Sequence, residues 1–169
     1  MMKRILAVAA VVALLAGCDS KPDAPFGLKW GQSIDSISFI KDGDCEKEDG
    51  ITTCKFNNQK PFNEWTFSNE LKFDRDGLTE VSYSIIGVED YSLNFNSLQE
   101  KIKKELDFLS EKGFSSEAGV KISNKCKKIE SCDDVNEKYS TKVGEVHIWI
   151  TRMPDNEPPP VMVTFKQAQ

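Results

Sequence analysis

Trp65-Thr-Phe-Ser-Asn-Glu-Leu-Lys-Phe-Asp-Arg-Asp-Gly-Leu-Thr-Glu-Val-Ser-Tyr-Ser-Ile-Ile86 reads as two β-strands joined by a tight turn. Trp65 to Phe73 forms one arm and Leu78 to Ile86 the other. Asp74-Arg-Asp-Gly77 supplies the turn, with residue types that favour a type I or related hairpin. Val81, Tyr83 and Ile85 alternate with Glu80, Ser82 and Ser84, which marks a strand with one buried and one open face. An antiparallel sheet is therefore the predicted centre of the fold.

Outward from the hairpin, Ile51–Phe56 predicts a strand and the acidic stretch around Cys45 a loop. Ser33 is placed as the N-cap of a short helix carrying Ile34, Ile37 and Ile40. Ser97-Leu-Gln-Glu100 matches a capping box, and Leu98, Ile102, Leu106 and Leu109 form one apolar stripe. Glu100 and Lys104 stand one turn apart, and Gly113 with Phe114 supplies the stop. A polar Ser/Lys-rich stretch follows, then strands near Asn136–Lys142, Glu145–Arg152 and Val161–Lys166. Met153 to Pro160 is too rich in proline for a central strand. The sum is an α+β domain over residues 26–169, with two helices packed on an antiparallel sheet. Each half, 26–93 and 94–169, reads as a helix and then about three strands, the order a tandem α-β₃ duplication would leave, without a residue-by-residue match between the halves.

The chain of 169 residues carries 22 Lys+Arg against 27 Asp+Glu and a single histidine. One histidine rules out a multi-His metal centre, and the acidic balance argues against nucleic acid as a partner. Lys3 and Arg4 precede twelve uncharged residues, Ile5–Ala16, too few for a permanent span of about 20 residues but suited to a signal peptide. The segment ends in Leu15-Ala16-Gly17-Cys18, which resembles the lipobox of bacterial lipoproteins. That resemblance implies cleavage before Cys18, acyl chains on its thiol and new amino group, and a partner in the membrane itself. The mature chain would have 152 residues and a formal charge of −7. Asp19 resembles the signal that keeps enterobacterial lipoproteins from the outer membrane, which favours the periplasmic side of the inner membrane, with the outer membrane as the alternative. Residues 18–25 form a polar, Pro-containing tether.

Cys45, Cys54, Cys126 and Cys132 remain, an even number that suggests disulfides in an exported chain. Three pairings exist. Cys45–Cys54 and Cys126–Cys132 are favoured because each closes a short loop within one polar segment. Zinc is the rival reading, but the spacing lacks C-x₂₋₄-C knuckles, and no redox C-x-x-C is present.

Phe26-Gly-Leu-Lys-Trp-Gly-Gln-Ser-Ile-Asp35 and Leu71-Lys-Phe-Asp-Arg-Asp-Gly-Leu78 resemble the pattern of small bacterial envelope domains. These are similar in element order to the β-lactamase-inhibitor-protein-like fold, which implies protein binding without chemistry and assigns no functional residue.

Catalytic motifs are sparse. His147 sits in Glu145-Val-His-Ile-Trp-Ile-Thr151, where Val146, Ile148 and Ile150 are predicted to face the core and His147 and Trp149 the opposite side. His147 and Trp149 are the candidate partner surface, while Trp30 and Trp65 are placed in the core. Asp74 and Asp76 share only part of a calcium loop, whose first and twelfth positions would be Lys72 and Tyr83. Asp42, Asp44, Glu46, Glu48 and Asp49 could attract a cation or form a solvated loop. There is no G-x-S-x-G elbow, no phosphate-binding glycine motif and no cofactor signature. The expectation is a membrane-anchored, non-enzymatic module that binds an envelope protein, as an assembly accessory, hydrolase inhibitor or immunity protein. The alternatives are an envelope enzyme acting through carboxylates and a lipid or small-ligand carrier.

Overall fold

A computed structural model of the chain describes residues 21–85, 95–132, 134–150 and 160–168. Its frame is a seven-stranded antiparallel sheet built from β1 (Asp44–Glu48), β2 (Ile51–Phe56), β3 (Phe67–Asp74), β4 (Gly77–Ser84), β5 (Asn136–Thr141), β6 (Gly144–Ile150) and β7 (Val161–Lys166). The first four strands form a meander. The chain then passes through α1 (Phe95–Glu111), α2 (Ser116–Lys125) and the short α3 (Ile129–Cys132). It returns at the far edge, so the order is β1-β2-β3-β4-β7-β6-β5 and the last strand of each half meets at a central β4–β7 seam. The α+β expectation holds, with the sheet dominant.

Register follows from one buried row. Cys54, Leu71, Val81, Phe165, Val146 and Tyr139 lie side by side across six strands on the covered face. All except Tyr139, which is half-buried, are withdrawn from solvent. A slip of one residue would turn this row outward, so burial locks the pairing. Above it, Phe26, Phe39, Phe56 and Phe62 interlock edge-on or tilted, and Phe26 also meets Tyr83 and stacks on Phe108 of α1. Contacts of this kind contribute about 0.5–1.5 kcal/mol beyond the area they bury.

The N-terminal segment straps the turn end of the sheet. Gly31 N–H donates to Leu78 O at 2.8 Å, and Leu78 N–H donates to Gln32 O at 3.0 Å. The buried Trp30 indole donates to Val143 O, in the β5–β6 turn, at 2.9 Å. The strap thereby ties a turn of the first meander to a turn of the second.

β4, read as a strand with one open face, buries Ser82 and Ser84 as well as Val81 and Tyr83, because it is the middle strand of the sheet, and four further features differ from expectation. The helix foreseen at Ile34–Ile40 is two 3₁₀ turns, Ile34–Ser36 and Ile40–Asp42. Apolar residues spaced strictly by three match the three-residue turn of a 3₁₀ helix rather than the 3.6 of an α-helix. The acidic loop around Cys45 is strand β1. All five of its residues are exposed, so it shows no alternation to read. Its turn was nonetheless written in the sequence: Asp49 (φ 48°) and Gly50 (φ 83°) form the left-handed pair of a two-residue hairpin. The Ser/Lys-rich stretch contains α2, started by the Ser115 side chain accepting from Ala118 N–H and held by buried Ala118 and Ile122. Finally, α1 begins at Phe95, which puts Ser97 inside its first turn rather than at the cap. The α1 stop is as expected: Gly113 has φ 88°, its N–H bonds Ser110 O, and Phe114 N–H reaches back to Leu109 O.

Candidate functional site

The helices and the N-terminal strap cover one face of the sheet. Alternation places Asn136, Lys138, Glu145, His147, Trp149, Met162, Thr164 and Lys166 on the opposite face. Trp149 is half-buried and lies between Asn136 of β5 and Met162 of β7 in register, with Ser84 of β4 beyond. His147 occupies the next row, its ring 6.5 Å from that of Trp149 and its Nε2 2.7 Å from Asn136 Oδ1. Partial burial, followed by the charge of Lys138, holds the imidazole below its ordinary range, so the ring is neutral near pH 7. The sequence thus placed both residues on the correct side of β6.

The same face carries an ion-pair ladder across three strands. Glu80 accepts from Lys72 at 2.8 Å and pairs with Lys166 at 3.0 Å, and Lys72 also approaches Glu70 at 3.7 Å. Burial raises the Glu80 carboxyl, but hydrogen bonds from Lys72 and Lys166 outweigh it and hold the group below its usual range. At the β1 margin, Glu46, Glu48, Asp49 and Glu70 line a shallow groove of about 480 Å³ with Ile51, Thr53, Lys55 and Lys72. Among the described residues no three His, Cys, Asp or Glu side chains come together as metal ligands. Asp74 and Asp76 build a turn: Asp76 N–H donates to Asp74 Oδ1 at 2.7 Å.

Cys45–Cys54 and Cys126–Cys132 are both disulfide-bonded. The first links directly opposed residues of β1 and β2, and the second ties the residue that caps α2 to the last residue of α3. Cys18 and Asp19 lie outside the described residues, as does Thr151. No helix among the described residues is long and apolar enough to cross a membrane.

A group that sequence reading missed sits under α1. Glu105 is 2 % exposed, although it is a carboxylic acid. Tyr83 Oη donates to its Oε1 at 2.6 Å and the Trp65 indole N–H to its Oε2 at 2.9 Å. Burial pushes the carboxyl up to about 7 against those two hydrogen bonds, and pushes the Tyr83 hydroxyl up as well. The signal was present. The buried stripe of α1 is Leu98, Ile102, Glu105 and Leu109, a 4-3-4 spacing in which Glu105 is the third of four members and Leu106 lies at its flank. Trp65 is held partly buried by this contact, and Trp30 is fully in the core as expected.

Space between the helices and the sheet is nearly filled. The void lined by Ile85, Ile102, Glu105, Ile122, Ile148 and Val161 measures about 10 Å³, at the lower limit for one water. A larger groove of about 580 Å³ lies on the outside, between α1 and α2, with Ile102, Leu106, Phe114 and Val120 in its lining. The carboxyl of Glu105 is not among the residues of that groove, so it does not present a proton to a ligand bound there. Searches against protein-family models, curated proteins and solved structures find no match to this chain.

Proposed function

We propose that this chain is a lipid-anchored envelope protein that binds another protein through the uncovered face of its sheet, centred on Trp149. The observation that carries the reading is the pairing of half-buried Trp149 with Met162 on a face that no helix among the described residues covers, flanked by His147 and Asn136. An aromatic side chain and a polarisable thioether, half-exposed on a rigid sheet, are the kind of anchor around which binding energy concentrates. Asp44, Glu46 and Glu48 give the same face an acidic margin, which suits a basic partner through electrostatic steering. Leu15-Ala16-Gly17-Cys18 supports acylation at Cys18, and Asp19 supports residence on the periplasmic side of the inner membrane. Two disulfides fit an oxidising compartment. Assembly accessory, hydrolase inhibitor and immunity protein are the subtypes this reading covers. The groove between α1 and α2 favours a second reading, a carrier of a small apolar ligand. The strand order, in which β2-β3-β4 and β5-β6-β7 approach the β4–β7 seam from opposite sides with β1 as an additional edge strand, supports descent from a duplicated half, with 3₁₀ turns in the first half where the second has α-helices.

The test is site-specific photocrosslinking of the full chain in its own membrane, with the probe at Met162 or, as a control, at Lys104 on α1. Binding through the sheet predicts one defined protein adduct from position 162 that disappears in Trp149→Ala. Adducts from Lys104 alone, or a position-162 adduct indifferent to Trp149, would overturn it. Cys18→Ala releases the protein from membranes if Cys18 carries the anchor, and continued membrane association refutes that anchor.

A further inference from the structure

We infer that Glu105 is a proton-operated latch: with its carboxyl protonated, α1 is held most firmly on the sheet, and loss of the proton raises the frequency with which α1 opens locally while the sheet stays folded. The geometry carries this. Glu105 lies inside the stripe that holds α1 down, with Leu98 and Ile102 before it and Leu109 after it. An ionised carboxylate has about four lone-pair positions, and among the described residues the Tyr83 hydroxyl and the Trp65 indole are the donors that fill any of them. The remaining surroundings are apolar on every packed element. β4 with its continuation contributes Tyr83 and Ile85, α2 Ile122, β6 Ile148 and Ile150, and β7 Val161. Tyr83 is the only titratable group facing the carboxyl from these elements among the described residues. His147 lies on the other face of the sheet, and on α1 itself Lys101 reaches the Phe67 ring.

The protonated acid suits this seat better. Trp65, which can only donate, still serves Oε2. The 2.6 Å contact to Tyr83 survives with its sense reversed, because a hydroxyl both donates and accepts. An uncompensated charge in the same place costs the desolvation that the apolar wall imposes. α1 is also the element best placed to yield, since its outer flank borders the open groove shared with α2 rather than another layer.

Hydrogen exchange on the full chain in mild detergent tests the latch, with low urea concentrations separating local from global opening. For a carboxyl at about 7 in the closed state and 4.5 in the open state, the opening constant of α1 rises roughly 30-fold between pH 5.5 and pH 8. The expected result is a pH-dependent, urea-insensitive opening at amides of residues 98–109, while β3 and β4 exchange only through urea-sensitive global unfolding. In Glu105→Gln the pH dependence disappears. Trp65→Phe, which removes a donor to the ionised form, moves the midpoint to higher pH and keeps the test available if Glu105→Gln does not fold. An α1 that exchanges only with the sheet, an opening constant flat with pH, or a pH dependence that persists in Glu105→Gln each overturns the inference.

Discussion

Replacing Gly77 by Ala tests how the N-terminal strap and the central hairpin hold each other. Gly77 closes the Asp74–Gly77 turn at φ 112°, a conformation that an L side chain adopts with strain. Strain of that kind costs about 1–3 kcal/mol. A methyl group there would also stand 2.3 Å from Gly31 O and 2.8 Å from Gln32 O, both backbone atoms that cannot rotate away. The strap must lift, and with it go the hydrogen bonds Gly31 N–H to Leu78 O and Leu78 N–H to Gln32 O. At about 1 kcal/mol each, those two bonds bring the total to roughly 3–5 kcal/mol. Gly50 is the internal control. It also has positive φ, 83°, in a two-residue hairpin turn, but a methyl group there meets nothing within 4 Å. Gly50→Ala therefore shows the conformational cost alone, about 1–2 kcal/mol. Urea denaturation under non-reducing conditions reads the difference. With a slope of about 1–3 kcal/mol per molar urea, Gly77→Ala lowers the midpoint by about 1 M or more beyond Gly50→Ala. Equal midpoints for the two variants would refute the argument, because they would mean the strap does not bear on the turn.

Other expectations follow from the same contacts. Glu80 sits below its usual range in the fold, so its contribution is present above pH 4.5 and is lost as the pH falls through its folded value. Acid titration of Glu80→Gln should accordingly lack that limb of the stability curve. Glu105 has the opposite sign: its folded value of about 7 exceeds 4.5, so its own contribution is largest below pH 4.5 and declines up to about pH 7. Calorimetry of Glu105→Gln across that window should show the decline removed. Breaking Cys126–Cys132 by Cys126→Ala with Cys132→Ala opens a short loop and should cost about 2–3 kcal/mol in a urea titration, by the chain-entropy argument. A cost near zero would show that α2 and α3 hold the segment without the bridge. Trp149→Ala should lower the unfolding midpoint only modestly while abolishing partner crosslinking, since the side chain is half-buried and no helix among the described residues covers it.

Much of this architecture was legible in the chain because it rests on local chemistry. The Asp74–Gly77 turn and the alternation of Val81, Tyr83 and Ile85 define β3–β4, and Val146, Ile148 and Ile150 define β6. Short loops between cysteines favoured the two bridges the structure contains. Reading failed where an element owes its form to a neighbour. β1 has no buried residue and exists as an added edge strand bonded to β2 and tied by Cys45–Cys54. α2 includes Gly119 and buries only Ala118 and Ile122, so its pattern is thin and its stability comes from packing.

The sequence by itself determined the residue inventory: four cysteines beyond Cys18, one histidine, an acidic balance, and two faces for every strong strand. Those are properties of residue type and period two, which need no knowledge of distant contacts. Tertiary structure alone decided which face is covered. β4 and β7 meet at a central seam, and α1 closes over Tyr83 and Trp65, leaving Trp149 and Met162 on the open side. It also decided what Glu105 is. On the sequence it is one charge among many on a polar helix, and only the closure of α1 onto Tyr83 and Trp65 removes its water and makes its proton matter.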